Sequence, residues 1–311
     1  MKTIFGPVPS RRLGRSLGID VIPPKTCSYD CVYCESGSTT HLTLKRQVFV
    51  NPDQVIHELE DYFRTYPGGA DVLTFSSAGE PTLYEPLGEL LRTIKKRFSS
   101  IPLIVLTNGS LLWDPAVCQD LLIADRVVPS LDAVTPDIFQ RVNHPHPALD
   151  LAAIVEGIGD FRRRYRGQLH LEVVLVSDVN DHTEELKKIA QAIDRIAPDQ
   201  IELNTVVRPP AYPGVSGLSM ESMQKASAFF PAAKTQIIGQ FQASPCAAKN
   251  SALDERVLEL VRRRPCTAAE MAACLGVEME QLKGTLGCLL AGNRIARYLF
   301  NDREYLCIPP Q

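Results

Sequence analysis

The chain carries almost no excess charge of either sign. Its 33 lysines and arginines stand against 36 aspartates and glutamates, a formal net charge of −3. No global positive field therefore draws it toward nucleic acid or an anionic membrane, although local RNA contacts stay open. The opening segment MKTIFGPVPSRRLGRSLG lacks the apolar run of an export leader. No window approaches the ~18 uninterrupted apolar residues of a membrane span. The expectation is a cytoplasmic protein with no membrane part. With 45% hydrophobic and 22% charged residues over 311 positions, the chain has the material for one large folded unit and a small one.

The nine cysteines lack the features of a disulfide framework: the count is odd, the chain is long and no export signal precedes them. Three of them, Cys27, Cys31 and Cys34, crowd into TCSYDCVYC. Cys118, Cys246, Cys266, Cys274, Cys288 and Cys307 are dispersed. Clustered cysteines in a reducing compartment point to metal, and dispersed ones to core packing. Cys274 and Cys288 fall on apolar helix faces, where cysteine acts as a small hydrophobe. Cys246 is the outlier, at the seam between two textures of sequence.

Between about residues 16 and 210, short runs rich in Val, Ile and Leu alternate with segments of helical period. The runs are 16–22, 72–77, 103–108, 126–131, 169–177 and 200–207, and they read as buried parallel strands. Helical segments fall at 52–65, 86–98, 114–122, 149–166 and 182–196. Asn51–Pro52, Asp114–Pro115 and Thr135–Pro136 give helix starts, each a capping side chain before a proline in the first turn. Six such units at about 32 residues each are too few for a closed eight-unit barrel of about 250 residues. The expected fold is α/β, a partial six-stranded parallel (β/α)6 barrel, with a doubly wound sheet as the competitor. A helix at 219–229 and a last strand at 235–241 close this part. From 251 the texture changes to three helices and a hairpin turning at Asn301–Asp302, the order of a winged helix-turn-helix. The expected division is 1–245 and 246–311.

The spacing C-x3-C-x2-C directly follows the first of these strands. Three thiolates on one compact loop can ligate three irons of a cubane and leave the fourth open. A Cys3His zinc site completed by His41 is the blander alternative. With an aromatic, Tyr33, before its last cysteine, this motif resembles that of the radical S-adenosylmethionine (SAM) superfamily, over roughly residues 1–210. The segments FGPVPSRRLGRSLGID, CVYCESGSTTHLT and RVNHPHPALDL resemble a subgroup placed with the tRNA wyosine synthases. The amino-terminal cysteines of their second cluster have no counterpart here.

That resemblance implies a [4Fe–4S] cluster on Cys27, Cys31 and Cys34, SAM as cofactor, and an electron donor such as flavodoxin or ferredoxin. It places Tyr33, Gly79, Glu80, Asn108, Ser130, Asp132 and Asn180 around SAM. Gly79 would allow close backbone approach, and Glu80 would accept from the methionyl amine. Arg11, Arg12, Arg15, His144, His146 and Arg208 are candidates for the substrate. For the arginines the competing readings are a solvated patch and, at Arg208, an ion pair; for the histidines it is a structural loop. Glu172 and Glu202 are expected to pair inside the barrel.

The substrate class implied is a macromolecule, tRNA or a protein or peptide. The third carboxyl-terminal helix, with Lys283 its one cation, is a poor phosphate reader. A metal- or cluster-containing winged-helix DNA-binding regulator is the alternative from another class.

Overall fold

Runs of Val, Ile and Leu become one sheet because each strand can bury one face against helices. The computed structural model describes residues 3–10, 13–238 and 253–309. In chain order the amino-terminal part comprises β1 (Ile4–Ser10), β2 (Gly14–Ile19), the short β3 (Thr26–Cys27) and β4 (His41–Leu42), α1 (Pro52–Thr65), β5 (Val72–Phe75) and α2 (Leu87–Arg97). There follow β6 (Leu103–Thr107), α3 (Pro115–Leu121), β7 (Arg126–Pro129), α4 (Pro136–Asn143), α5 (Leu151–Arg164), β8 (Gln168–Leu175), α6 (Thr183–Ile196), β9 (Gln200–Thr205), α7 (Met220–Ser227) and β10 (Thr235–Ile237).

The main sheet runs β1-β2-β5-β6-β7-β8-β9-β10. All neighbours are parallel except β1, which pairs antiparallel with β2. Strand order thus follows chain order without the reversal that defines a doubly wound sheet. The sheet has seven parallel strands rather than the six of the expected barrel, because the last strand expected at 235–241 joins it as β10 beside β9. The amino-terminal β1 is not legible in the sequence: IFGPVPS carries two prolines and a glycine, which suit an edge but hide the strand pattern.

Alternation along the strands separates two environments. On β8, Leu169, Leu171, Val173 and Leu175 lie in the main apolar core with helix residues such as Ile158, Ile189 and Ile193. Its other face carries His170, Glu172 and Val174. On that inner side Leu13, Val72, Ile104 and Val128 form a small apolar floor. Nearer the carboxyl ends, Ser16, Thr74, Ser130, Glu172 and Asn204 line a cavity. A polar cavity inside the curve of the sheet is a barrel feature.

Helix starts follow the capping logic read from sequence. Asn51 and Asp114 accept from Asp53 N and Ala116 N ahead of Pro52 and Pro115. Thr135 begins α4, but its hydroxyl goes to Glu185 of α6, which also accepts from Val134 N and Thr135 N.

Residues 253–309 form α8 (Leu253–Arg263), α9 (Ala268–Leu275), α10 (Met279–Ala291), β11 (Ala296–Phe300) and β12 (Arg303–Cys307). Thr267 and Glu270 make a reciprocal capping box on α9, and left-handed Gly276 ends it. β11 and β12 pair antiparallel about Asn301 and Asp302, both at positive φ (49° and 57°), as a two-residue hairpin turn requires. This part has its own apolar core around Val257, Val261, Met271, Leu282 and Leu289, with Val8 of β1 packed against it. Cys274 is buried in that core, whereas Cys288 is exposed, contrary to its expected place on a buried face. Among the described residues, no helix is long and apolar enough to cross a membrane.

Candidate active site

The functional candidates converge because the chain leaves each strand at the same edge of the barrel. Asp20 follows β2, Ser76 follows β5, Asn108 follows β6 and Ser130 follows β7. The loop bearing the three cysteines lies over this edge and is tied down by its backbone. Lys25 N donates to Ala78 O, and Glu80 N to Thr26 O. Asp30 N and Val32 N donate to Asn143 O and Val142 O, and His146 N to Ser28 O. Gly79 is the point of closest approach: a Cβ there would stand 2.0 Å from Thr26 O, so only glycine lets the two loops meet.

Cys27, Cys31 and Cys34 are free thiols. Burial raises the pKa of each, that of Cys27 to about 12; Cys27 also feels the charge of Cys34, and Cys31 that of Cys27 and Cys34. Two amides face their sulfurs. Asn108 Nδ2 donates to Cys27 Sγ (3.5 Å) and to Ser28 Oγ (2.8 Å), and Asn143 Nδ2 donates to Cys31 Sγ (3.4 Å). Among the described residues, no three His, Cys, Asp or Glu side chains form a group that would hold a single metal ion. His41 is exposed. The zinc arrangement is therefore not formed, whereas a cubane takes each thiolate on a different iron and needs no convergence on one point.

Three of the expected SAM contacts are turned inward. Glu80 is 2% exposed. Its Oε1 accepts from Thr82 N, Thr82 Oγ1 and Thr107 Oγ1, and its Oε2 accepts from Asn108 N. Burial raises its pKa and these bonds oppose the rise. Glu80 thus joins two loops rather than presenting a carboxylate to a ligand. Asn180, 0% exposed, accepts from Val176 N and donates to Asp132 O and Val174 O. With both amide hydrogens committed, it braces the turn after β8 and is not placed to donate to a ribose. Asp132 accepts from Val174 N, Asn143 Nδ2 and the Tyr33 hydroxyl (2.5 Å). Burial pushes its pKa up to about 6 against those bonds. Tyr33 and Ser130 do line the cavity.

That cavity measures about 360 Å³ and is bounded by Cys34, Ser76, Ser77, Ala78 and Arg208, among others. Among the described residues the buried Ser77 hydroxyl has no hydrogen-bond partner, an orphan that a bound polar ligand would satisfy. The carboxyl-terminal part supplies one wall, through Leu260, Arg263 and Arg264. Its contacts are specific: Arg263 pairs with Asp20 (2.7 Å), Arg263 O accepts from Ser36 Oγ, and Tyr305 donates to Val207 O.

The substrate candidates fare differently. Arg208 is 3% exposed and pairs with Glu35 (2.9 Å) and Glu270 (2.8 Å), so the ion-pair reading holds and it joins the two parts of the chain. Arg15 lies at the amino end of β2, away from the mouth, bonded to Asp71 and Gly68 O. His144 ends α4 in the left-handed region, its ring edge-on to Tyr212, and His146 Nδ1 accepts from Ala148 N. Both are loop residues, and neither lines the cavity. Glu202 pairs with His170 (2.8 Å), and Glu172 accepts from Asn204 Nδ2, so each finds a partner inside the barrel. Arg11, Arg12 and Cys246 lie outside the described residues, as does the 245/246 boundary.

Residues 21–191 match the family profile of the Radical SAM superfamily. The chain belongs to the radical SAM superfamily. Its members are enzymes that use a [4Fe–4S] cluster and SAM and require an electron donor, and this chain is a radical SAM enzyme. It is 37% identical over 268 residues to a UPF0026 protein of Helicobacter pylori strain J99, covering 86% of each chain. It is 36% identical over 302 residues to a protein of Brachyspira hyodysenteriae named GTPase Obg, covering 96% of this chain but 44% of that relative's length. The solved structure of TYW1 with a lysine-pyruvate adduct bound superposes with a TM-score of 0.53 at 17% identity, over 69% of this chain and 72% of that one. That last likeness is one of fold.

For a radical SAM enzyme, sequence reading alone missed three groups at the site. Asn143 sits inside the segment RVNHPHPALDL, beside two histidines whose side chains are the more obvious chemical candidates. Ser77 closes the run 72–77 and Lys25 precedes TCSYDCVYC, but only packing shows that their polar atoms are buried without partners among the described residues.

Proposed function

We propose that Cys27, Cys31 and Cys34 hold the [4Fe–4S] cluster through three of its irons and that SAM binds in the adjoining cavity. One observation carries this reading. Three unbridged thiols share one tightly anchored loop at the carboxyl ends of the strands, and Cys34 opens on a cavity containing an orphaned hydroxyl. When bound, the two cofactors supply one-electron cleavage of a sulfonium C–S bond to give a 5′-deoxyadenosyl radical.

The chain's own residues position and enclose. Asn108 and Asn143 orient two cysteine sulfurs through N–H···S contacts, which also tune such clusters. Tyr33, fixed by Asp132, walls the cavity next to Cys34. Ser77 and Ser130 offer hydrogen bonds to SAM, while Glu80 and Asn180 hold those loops in place. The polar inner face at Glu172 and Asn204 gives the substrate hydrogen-bonding partners.

In the same reading residues 1–245 are the catalytic unit and 246–311 a winged-helix module, supported by two separate apolar cores. The module borders the cavity, which suits recruitment of a macromolecule, tRNA or a protein or peptide, to the mouth. In α10 the single cation, Lys283, pairs with Glu280, so this helix favours a protein or peptide over nucleic acid. The same feature gives no support to a DNA-binding regulator. Flavodoxin or ferredoxin is the expected electron donor.

The test is anaerobic reconstitution with iron and sulfide, then dithionite and SAM. A brown protein that converts SAM to 5′-deoxyadenosine is expected. A preparation that takes up no iron and sulfide, or never forms that product, overturns the reading.

A further inference from the structure

Lys25 is two positions before the first cysteine, and its backbone is clamped on both sides. Its N–H donates to Ala78 O, and its carbonyl accepts from Thr40 N and His41 N. The side chain turns inward. Its ammonium nitrogen is buried and has no hydrogen-bond partner among the described residues. Burial lowers its pKa, and the charges of Cys34, then Asp30 and Cys27, oppose that fall. Gly37, at φ +85°, lies against it, and a Cβ there would stand 3.0 Å from the nitrogen. Asp30 is itself occupied: its Oδ1 accepts from Thr39 N and its Oδ2 from the Tyr212 hydroxyl. A buried ammonium calls for a hydrogen-bond acceptor, and the described residues give this one none.

We propose that Lys25 is a positioning residue for the cluster, its buried ammonium serving as the counter-charge to the Cys34 and Cys27 thiolates and raising the cluster's reduction potential. This rests on the reading that those cysteines bind a cluster. Ligation makes the thiolates anionic, and reduction adds one more negative charge. A fixed positive charge stabilises the reduced form more than the oxidised one, most strongly where water is excluded. No other lysine or arginine occurs between Arg15 and Lys45, so no local cation on this loop can replace it.

The experiment compares wild type, Lys25→Met and Lys25→Arg after anaerobic reconstitution, without SAM. Iron and sulfide content are measured first, and the midpoint is then followed by electron paramagnetic resonance during redox titration. In Lys25→Met, of similar volume but uncharged, the reduced-to-oxidised ratio at a fixed potential should fall about tenfold, a shift of about 59 mV for a one-electron couple. Lys25→Arg should recover most of it. A fully loaded Lys25→Met with an unmoved midpoint overturns the proposal, and so does loss of the cluster in both variants, which would mark a packing role. Loss in Lys25→Met alone, with Lys25→Arg loaded, supports it. A wild type that binds no cluster refutes the prior reading of the cysteines instead, so the two failures are distinguishable.

Discussion

Arg263 donates to Asp20 across 2.7 Å, although 243 positions separate them in the chain. Asp20 ends the first parallel strand at the mouth of the barrel, and Arg263 ends α8. The same guanidinium lies 3.7 Å from the ring centroid of Phe5 in β1, and the backbone carbonyl behind it accepts from Ser36 on the cysteine loop. One residue of the carboxyl-terminal part therefore touches the edge strand, the first parallel strand and the cysteine loop. Arg208, paired with Glu270, repeats the fastening from the barrel side.

Removing this fastener should loosen the wall of the cavity. In Arg263→Ala, Asp20 stays buried without its partner and Phe5 loses a cation, a loss of about 2 kcal/mol from a partly buried pair. Denaturant unfolding would measure it, and limited proteolysis should cut the variant faster beyond residue 238. A double-mutant cycle with Asp20→Asn isolates the pair. A coupling energy indistinguishable from zero would mean that the contact contributes nothing to docking.

The cysteines divide into two classes that iron analysis can separate. Alanine at Cys27, Cys31 or Cys34 should each remove most of the iron and sulfide, together with the absorbance near ~400 nm of a cysteine-ligated cluster. Serine at Cys118, Cys266, Cys274, Cys288 or Cys307 should leave iron per chain unchanged, because these sit apart as core or surface residues. A second class member that also lowers iron would point to an auxiliary cluster.

The division between what the sequence disclosed and what it hid follows the range of the interactions involved. Helix α1 is legible to the residue because Asn51, Pro52 and the apolar spacing of Val55, Ile56 and Leu59 all act within two turns. The hairpin is legible because Asn301 and Asp302 tolerate the left-handed backbone its turn demands. Cysteine spacing is local too. What stayed hidden depends on partners far away in the chain. Glu80 looks like a ligand-facing carboxylate until Thr107 and Asn108, 27 and 28 positions on, are found occupying it. Arg208 reads as an anion contact or an ion pair until Glu35 and Glu270 arrive from either end. Asn180 follows the same rule, since its role is set by Asp132, 48 positions earlier.

Glu80 offers the sharpest check on that distinction. Glu80→Gln keeps the shape but turns an amide N–H₂ toward Asn108 N or the Thr82 and Thr107 donors, stranding at least one buried group. The expected cost is about 1–3 kcal/mol. SAM affinity should fall as well, through displacement of the loops rather than loss of a contact. Calorimetric titration alongside unfolding would separate the cases. Weakened SAM binding with unchanged stability would restore a direct ligand contact.

Arg15 and Asp71 bear on whether the basic segment before β2 serves the substrate. Hydrogen bonds from the Arg15 guanidinium and backbone N–H hold the Asp71 carboxyl below its ordinary value of 3.8. A carboxyl depressed on folding adds stability that is complete above that value and is lost as pH falls through the depressed one. Stability should therefore fall more steeply below pH 3.8 in wild type than in Asp71→Asn. The pair is 41% and 46% exposed, so solvent screens it and the difference should not exceed about 1 kcal/mol, shrinking in high salt. The measurement is unfolding free energy against pH for both proteins. Parallel curves would mean that Arg15 is not committed to Asp71, which would reopen its role as an anion contact.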